Sequence, residues 1–193
     1  MGNEREKVIE TLSGLIDQTA LRLGQKEAIL FLRKGKMESR ITYLSLKSVS
    51  DRVASGLEEM GLEKGDRVIL YMPKSVEAVM IHLGVLKAGG ISVILNPGFK
   101  KDEVAYFLKD ADAKVIAVGK KEEGVVRTLA PRGRILSVDT ESPFSEEKLF
   151  PSSLLWTTSL GGNLHDPALL IYTSGTTGQP KGAILTQQNL IHD

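Results

Sequence analysis

Four short runs in the middle of the chain constrain its fold more than any other feature: "RVILYM" (67–72), "ISVILN" (91–96), "KVIAV" (114–118) and "RILSV" (134–138). Each is apolar at nearly every position, whereas a strand with one wet face would alternate. Helix-length segments separate them, an amphipathic stretch over 75–88 closed by Gly89 and Gly90, one over about 102–110, and a weaker one over 122–129. Buried strands alternating with helices require a parallel sheet covered on both sides. The expected fold is therefore α/β, doubly wound, with a mostly parallel sheet and helices on both faces.

The flanks extend this pattern. Val8, Leu12, Leu15, Ile16, Thr19 and Leu23 recur at helical spacing, and "EAILFL" and "ESRIT" read as a hairpin around "RKGK". Leu46, Val49, Val53, Leu57 and Met60 form a further helical stripe, with Thr42 placed as its N-cap and Gly61 just past its end. From 139 to 167 the periodicity fades into a Pro-, Ser- and Gly-rich stretch that carries Trp156. It reads as a surface connector with at most one short helix. Beyond it, "ALLIYT" is a buried strand.

The 193 residues suit one domain, and a formal net charge of +1 gives no broad field for nucleic acid. With no cysteine there is neither a disulfide framework nor a thiolate metal site, and His82, His165 and His192 are too scattered for a metal cluster. No apolar run reaches the roughly 18 residues of a membrane span, and the N-terminus is charged from the start, so a cytoplasmic location is expected.

The chemistry is concentrated in "YTSGTTGQPKG", which follows the last buried strand. Glycines there let backbone N–H groups converge on an anion. Thr173, Ser174, Thr176 and Thr177 add hydroxyls, and Lys181 adds a positive charge. Little bulk with many donors suits a polyphosphate. A Walker A loop counted from Gly175 would need glycine at Pro180 and a hydroxyl at Gly182, so two of its four fixed positions fail. The Rossmann glycine spacing is absent as well. A flexible turn between strands, a P-loop NTPase and a non-catalytic nucleotide-binding module remain as alternatives.

The motif resembles the phosphate-binding signature of the adenylate-forming superfamily, which includes acyl-CoA synthetases, luciferases and peptide-synthetase adenylation domains. The match is close over 173–182 and continues into "LTQQNL", where Gln187 stands in place of a common histidine. The segment from "ITYLSL" to "KVIAV" is similar to the N-terminal part of acyl-CoA synthetases, and the likeness runs from about residue 12 onward.

The resemblance implies a carboxylic acid activated by ATP with magnesium pyrophosphate leaving, then thioester formation with coenzyme A. It implies binding of the β- and γ-phosphates by Thr173, Ser174, Gly175, Thr176, Thr177 and Gly178, with Lys181 in support. The chain, 1–193, would be the N-terminal part of the adenylating domain. The adenine, ribose and magnesium elements and a catalytic lysine lie further on in the family, so no catalytic residue is assigned here. The chain alone is expected to be inactive and to self-associate. The stretch 95–114 leans towards fatty-acyl or dicarboxylate ligases. With no nucleotide, the loop is expected to be mobile between buried strands.

Other residues have plainer readings. Tyr71, Tyr106 and Phe107 are expected in the core, and His82 in the core or on the surface. Lys100, Lys101, Lys120 and Lys121 are expected at solvated helix ends. Lys74, just past a buried strand, lies where α/β sheets place ligands.

Overall fold

In the computed structural model, residues 11–150, 162–173 and 180–192 are described. The chain begins with α1 (Leu12–Leu23), whose N-cap Thr11 accepts from the Gly14 amide at 3.0 Å. A hairpin follows, β1 (Glu27–Arg33) and β2 (Lys36–Thr42), paired antiparallel. Its turn residues Lys34 and Gly35 both have positive φ, 50° and 75°, the combination that lets a two-residue turn match strand twist.

Helix α2 (Tyr43–Glu59) starts on the expected cap, with Thr42 Oγ1 accepting from the Ser45 amide, and Gly61 just beyond its end has φ of 81°. Then come β3 (Arg67–Tyr71), α3 (Val76–Lys87), β4 (Ile91–Leu95), α4 (Lys101–Ala111), β5 (Val115–Gly119), α5 (Glu123–Leu129) and β6 (Arg134–Val138). A 3-10 turn (Glu146–Lys148), β7 (Pro167–Thr173), β8 (Lys181–Thr186) and α6 (Gln187–His192) complete the described elements.

The main sheet has six strands in the order β6-β5-β3-β4-β7-β8. All neighbours are parallel except β7 and β8, which are antiparallel. The doubly wound expectation is met because the strands carry two cores. Val68, Leu70, Val115 and Ala117 face the α2–α3 side with Val49, Val53, Leu57, Met80 and Ile81, while Ile69, Tyr71, Val93, Leu95 and Val118 face Val104, Phe107 and Val126 of α4 and α5. Burial of these side chains is worth roughly 1.5–3 kcal/mol each, so the two layers hold the sheet from both sides.

Two expectations need correction. The first part of the connector packs against the protein instead of running free over the surface: Leu149 is buried, and Phe144 and Phe150 lie against the α2–α3 core. Arg52 donates to the Glu146 carbonyl at 3.0 Å, and Lys148 donates to the Ser142 carbonyl at 2.8 Å. Sparse apolar residues at irregular spacing hid this from a periodicity argument. Residues 151–161, with Trp156, lie outside the described part. The second correction concerns the strands around the glycine-rich motif. Ala168 and Leu169 are buried, but Ile171 and most of β8 are exposed, because β8 is the outermost strand of the sheet.

Candidate functional site

A doubly wound sheet binds ligands beyond the carboxyl ends of its strands, where neighbouring strands send their connections to opposite faces. Here that position is between β3 and β4. The chain leaves β3 for α3 on one face and leaves β4 for α4 on the other, because α3 and α4 pack into separate cores. A cavity of about 490 Å³ opens at this point, lined by Met72, Lys74, Asn96, Phe99 and Tyr172 among others. Lys74 is exposed at its rim. The side chain of Asn96 folds back to accept from the Gly98 amide at 2.9 Å, which shapes the turn below the cavity.

β7 delivers the glycine-rich motif to the same edge. Thr173 and Lys181 are paired across β7 and β8, and Thr173 Oγ1 lies 3.4 Å from the Lys181 carbonyl oxygen it faces as donor. Both side chains are exposed, so a hydroxyl and an ammonium stand side by side at the rim. Ser174, Gly175, Thr176, Thr177 and Gly178 lie outside the described residues, as does the expected mobility of that segment. Gly182, opposite Tyr172, is not sterically required by its described neighbours, since an added Cβ would meet Leu170 at 3.4 Å, an ordinary contact.

The strand ends flanking the motif are held from α4. Tyr106 donates its hydroxyl to the Pro180 carbonyl at 3.1 Å, and Tyr172 donates to the Asp110 carboxylate at 2.6 Å. Burial, with the Asp110 carboxylate beside it, pushes the Tyr172 phenol well above its ordinary value, so it stays a donor at every physiological pH. The rings form a cluster, with Phe107 4.5 Å from Tyr172 and 5.0 Å from Phe99 between centroids. The core reading therefore holds for Tyr71 and Phe107 but not for Tyr106, which is half-buried and spends its hydroxyl on the motif. Its place in an apolar helix stripe concealed that polar end.

On the α2–α3 side a second cavity, about 430 Å³ and mainly apolar, is lined by Ile29, Phe31, Val79, His82 and Ile94 among others. His82 Nδ1 lies 2.8 Å from the Ser92 hydroxyl, and burial pushes the imidazole down to about 4, so the ring is neutral at pH 7. Lys100, Lys101, Lys120 and Lys121 are exposed as expected. Among the described residues no three His, Cys, Asp or Glu side chains come together as metal ligands. No helix among them is long and apolar enough to cross a membrane.

Comparison with known proteins gives this edge its context. The chain is 33% identical over 150 residues to surfactin synthase subunit 3 of Bacillus subtilis (strain 168), covering 78% of this chain and 11% of that protein. It is 29% identical over 215 residues to the mitochondrial medium-chain acyl-CoA ligase ACSF2 of Homo sapiens, covering 95% of this chain and 34% of the relative. Among solved structures, a long-chain-fatty-acid-CoA ligase (FadD1) from Archaeoglobus fulgidus superposes with a TM-score of 0.79 at 28% identity, over 94% of this chain and 37% of that one. The chain thus spans about a third of the length of the acyl-CoA ligases it matches, and a smaller share of the synthase subunit. The family model described as AMP-binding enzyme matches residues 16–193, from within α1 through the glycine-rich motif to Asp193, and the chain belongs to that family.

Proposed function

We propose that this chain is the N-terminal part of an ATP-dependent acyl-CoA synthetase, and that its segment from Thr173 to Lys181 holds the β- and γ-phosphates of ATP. The observation that carries the reading is the pairing of Thr173 with Lys181 at the carboxyl edge of the sheet, beside the β3–β4 crevice. There the Lys181 ammonium and the Thr173 hydroxyl supply charge and a donor. The amides and hydroxyls of Ser174, Gly175, Thr176, Thr177 and Gly178 complete the set in this reading. Donors fixed before reaction stabilise charge as it grows on a leaving group. In the intact enzyme a carboxylate would attack the α-phosphate, pyrophosphate would leave into this set, and the acyl group would pass to a thiol. The motif runs into a strand, β8, where a Walker loop would open a helix, which favours adenylation over a P-loop NTPase.

Magnesium and coenzyme A belong to the whole enzyme in this reading, and no residue described here is assigned to either. The chain by itself lacks the adenine, ribose and lysine elements of the reaction. It is expected to show no carboxylate-dependent exchange of pyrophosphate into ATP with any of a panel of fatty and dicarboxylic acids. A cytoplasmic location rests on the charged first residues alone.

Titration of the chain with inorganic pyrophosphate tests the reading. Weak but saturable binding is expected, and Lys181→Ala should weaken it roughly tenfold, the order expected for a hydrogen bond to a charged group at an exposed site. Binding that is indifferent to Lys181→Ala would make the motif a structural turn.

A further inference from the structure

Tyr106 and Asp110 are four residues apart on α4, so they share one face of the helix. That face does not merely pack. Each residue makes one hydrogen bond to a different strand flanking the glycine-rich motif. Asp110 receives the Tyr172 hydroxyl at 2.6 Å, one residue before Thr173, and Tyr106 reaches the Pro180 carbonyl at 3.1 Å, one residue before Lys181. The entering and leaving ends are therefore tied to the same helix, on either side of the Thr173–Lys181 pair.

The helix that makes these two bonds is itself immobilised. Val104, Phe107 and Ala111 on its inner face are buried in the α4–α5 core. At its end, Arg67 of β3 donates to the carbonyls of Ala111 and Asp112. The chemistry of the contacts also separates positioning from packing. A core would be served by phenylalanine, as it is one residue later at Phe107, whereas Tyr106 directs a hydroxyl to a backbone carbonyl at the motif's exit. Tyr106 and Tyr172 meet edge-on, with centroids 6.4 Å apart and planes at 70°, so the two anchoring phenols also fix each other's direction.

We infer that Tyr106 and Asp110 act together as positioning residues, a two-point clamp through which α4 sets the separation and direction of the strand ends that carry Thr173 and Lys181. This inference rests on the reading that the motif holds phosphates. Neither residue touches the phosphates. They act through Pro180 and Tyr172, and their loss would loosen donors whose value lies in being fixed beforehand.

The test uses the full chain with Tyr106→Phe, Asp110→Ala and Asp110→Asn. Amide exchange over β7 and β8, followed by mass spectrometry, should rise about three- to tenfold in Tyr106→Phe and Asp110→Ala, the range set by one hydrogen bond. Exchange in β3 and β4 should not change. Asp110→Asn keeps an acceptor for Tyr172 and should restore most of the protection. Titration with inorganic pyrophosphate should weaken by a similar factor in the first two variants, while the thermal midpoint moves by no more than about 2–4 °C.

Unchanged exchange in both Tyr106→Phe and Asp110→Ala would overturn the clamp. Faster exchange with pyrophosphate affinity equal to the parent chain would overturn its positioning role. If the parent chain fails to bind pyrophosphate while the variants still exchange faster, the clamp stands and the phosphate reading falls.

Discussion

His82 shows how a single side chain can tie stability to pH. Its ordinary value is near 6.5, and in the folded protein it lies at about 4 because burial disfavours the imidazolium. Below about pH 6.5 the unfolded chain takes up a proton that the folded chain refuses. The stabilising contribution is therefore complete above that pH and is lost progressively as pH falls towards 4, by at most about 3 kcal/mol. Urea unfolding of the parent chain and of His82→Gln at pH 7.5, 5.5 and 4.5 should show a shallower decline in the variant. Parallel declines would mean that carboxylates alone set the acid limit. Sequence pattern placed His82 only as core or surface, because its partner Ser92 is ten positions away on the next strand and no periodicity connects them. Lys87 was equally invisible: it is buried, yet its ammonium bridges Asp17 of α1, at 2.6 Å, and Asp51 of α2. A lysine in the last turn of an amphipathic helix reads as solvated until three helices are seen to converge on it.

The secondary elements, by contrast, were largely legible. The runs at 67–72, 91–96, 114–118 and 134–138 became β3, β4, β5 and β6 because continuous apolar residues and short length admit only strands covered on both faces. Caps were legible for the same local reason, with Ser75 accepting from the Ala78 amide at the start of α3 as Thr42 does for α2. What local pattern could not show is how closely elements approach. Gly84 lies in the middle of α3, where propensity alone would favour alanine by about 1 kcal/mol. An added Cβ would lie 2.4 Å from Val53 Cγ1 and 3.1 Å from the Ala54 nitrogen of α2, so the two helices touch through this glycine. Gly84→Ala should cost about 1–3 kcal/mol in denaturant unfolding. Gly124→Ala in α5, where no atom lies within 4 Å of an added Cβ, should be neutral or slightly stabilising. Equal effects would show that α2 and α3 separate easily. The candidate site was legible as a motif at a strand end, but its support from Tyr106 and Asp110 depends on α4 lying beside β7 and β8, a tertiary fact.

At the scale of the molecule, apolar surface collects towards β8. Ile94, Ile171 and Ile184 are 49%, 40% and 57% exposed, and β8 has no further strand outside it among the described residues. An unpaired edge beside apolar side chains favours pairing with another chain. Light scattering should therefore show mass rising with concentration, and Ile184→Lys should suppress the rise. A monomer at high concentration in both proteins would show that the charges of Lys181 and its neighbours already guard the edge. The opposite end of the chain is closed differently. The side chain of Gln187, buried where α6 begins, accepts from the Leu12 amide at 3.1 Å across 175 positions of sequence. Synthesis proceeds from the N-terminus, so α1 leaves the ribosome long before the residue that completes its first turn. Until Gln187 emerges, that amide has only water. The first helix made is thus among the last to receive all of its partners, and a nascent chain stalled before β8 would carry α1 incompletely fastened.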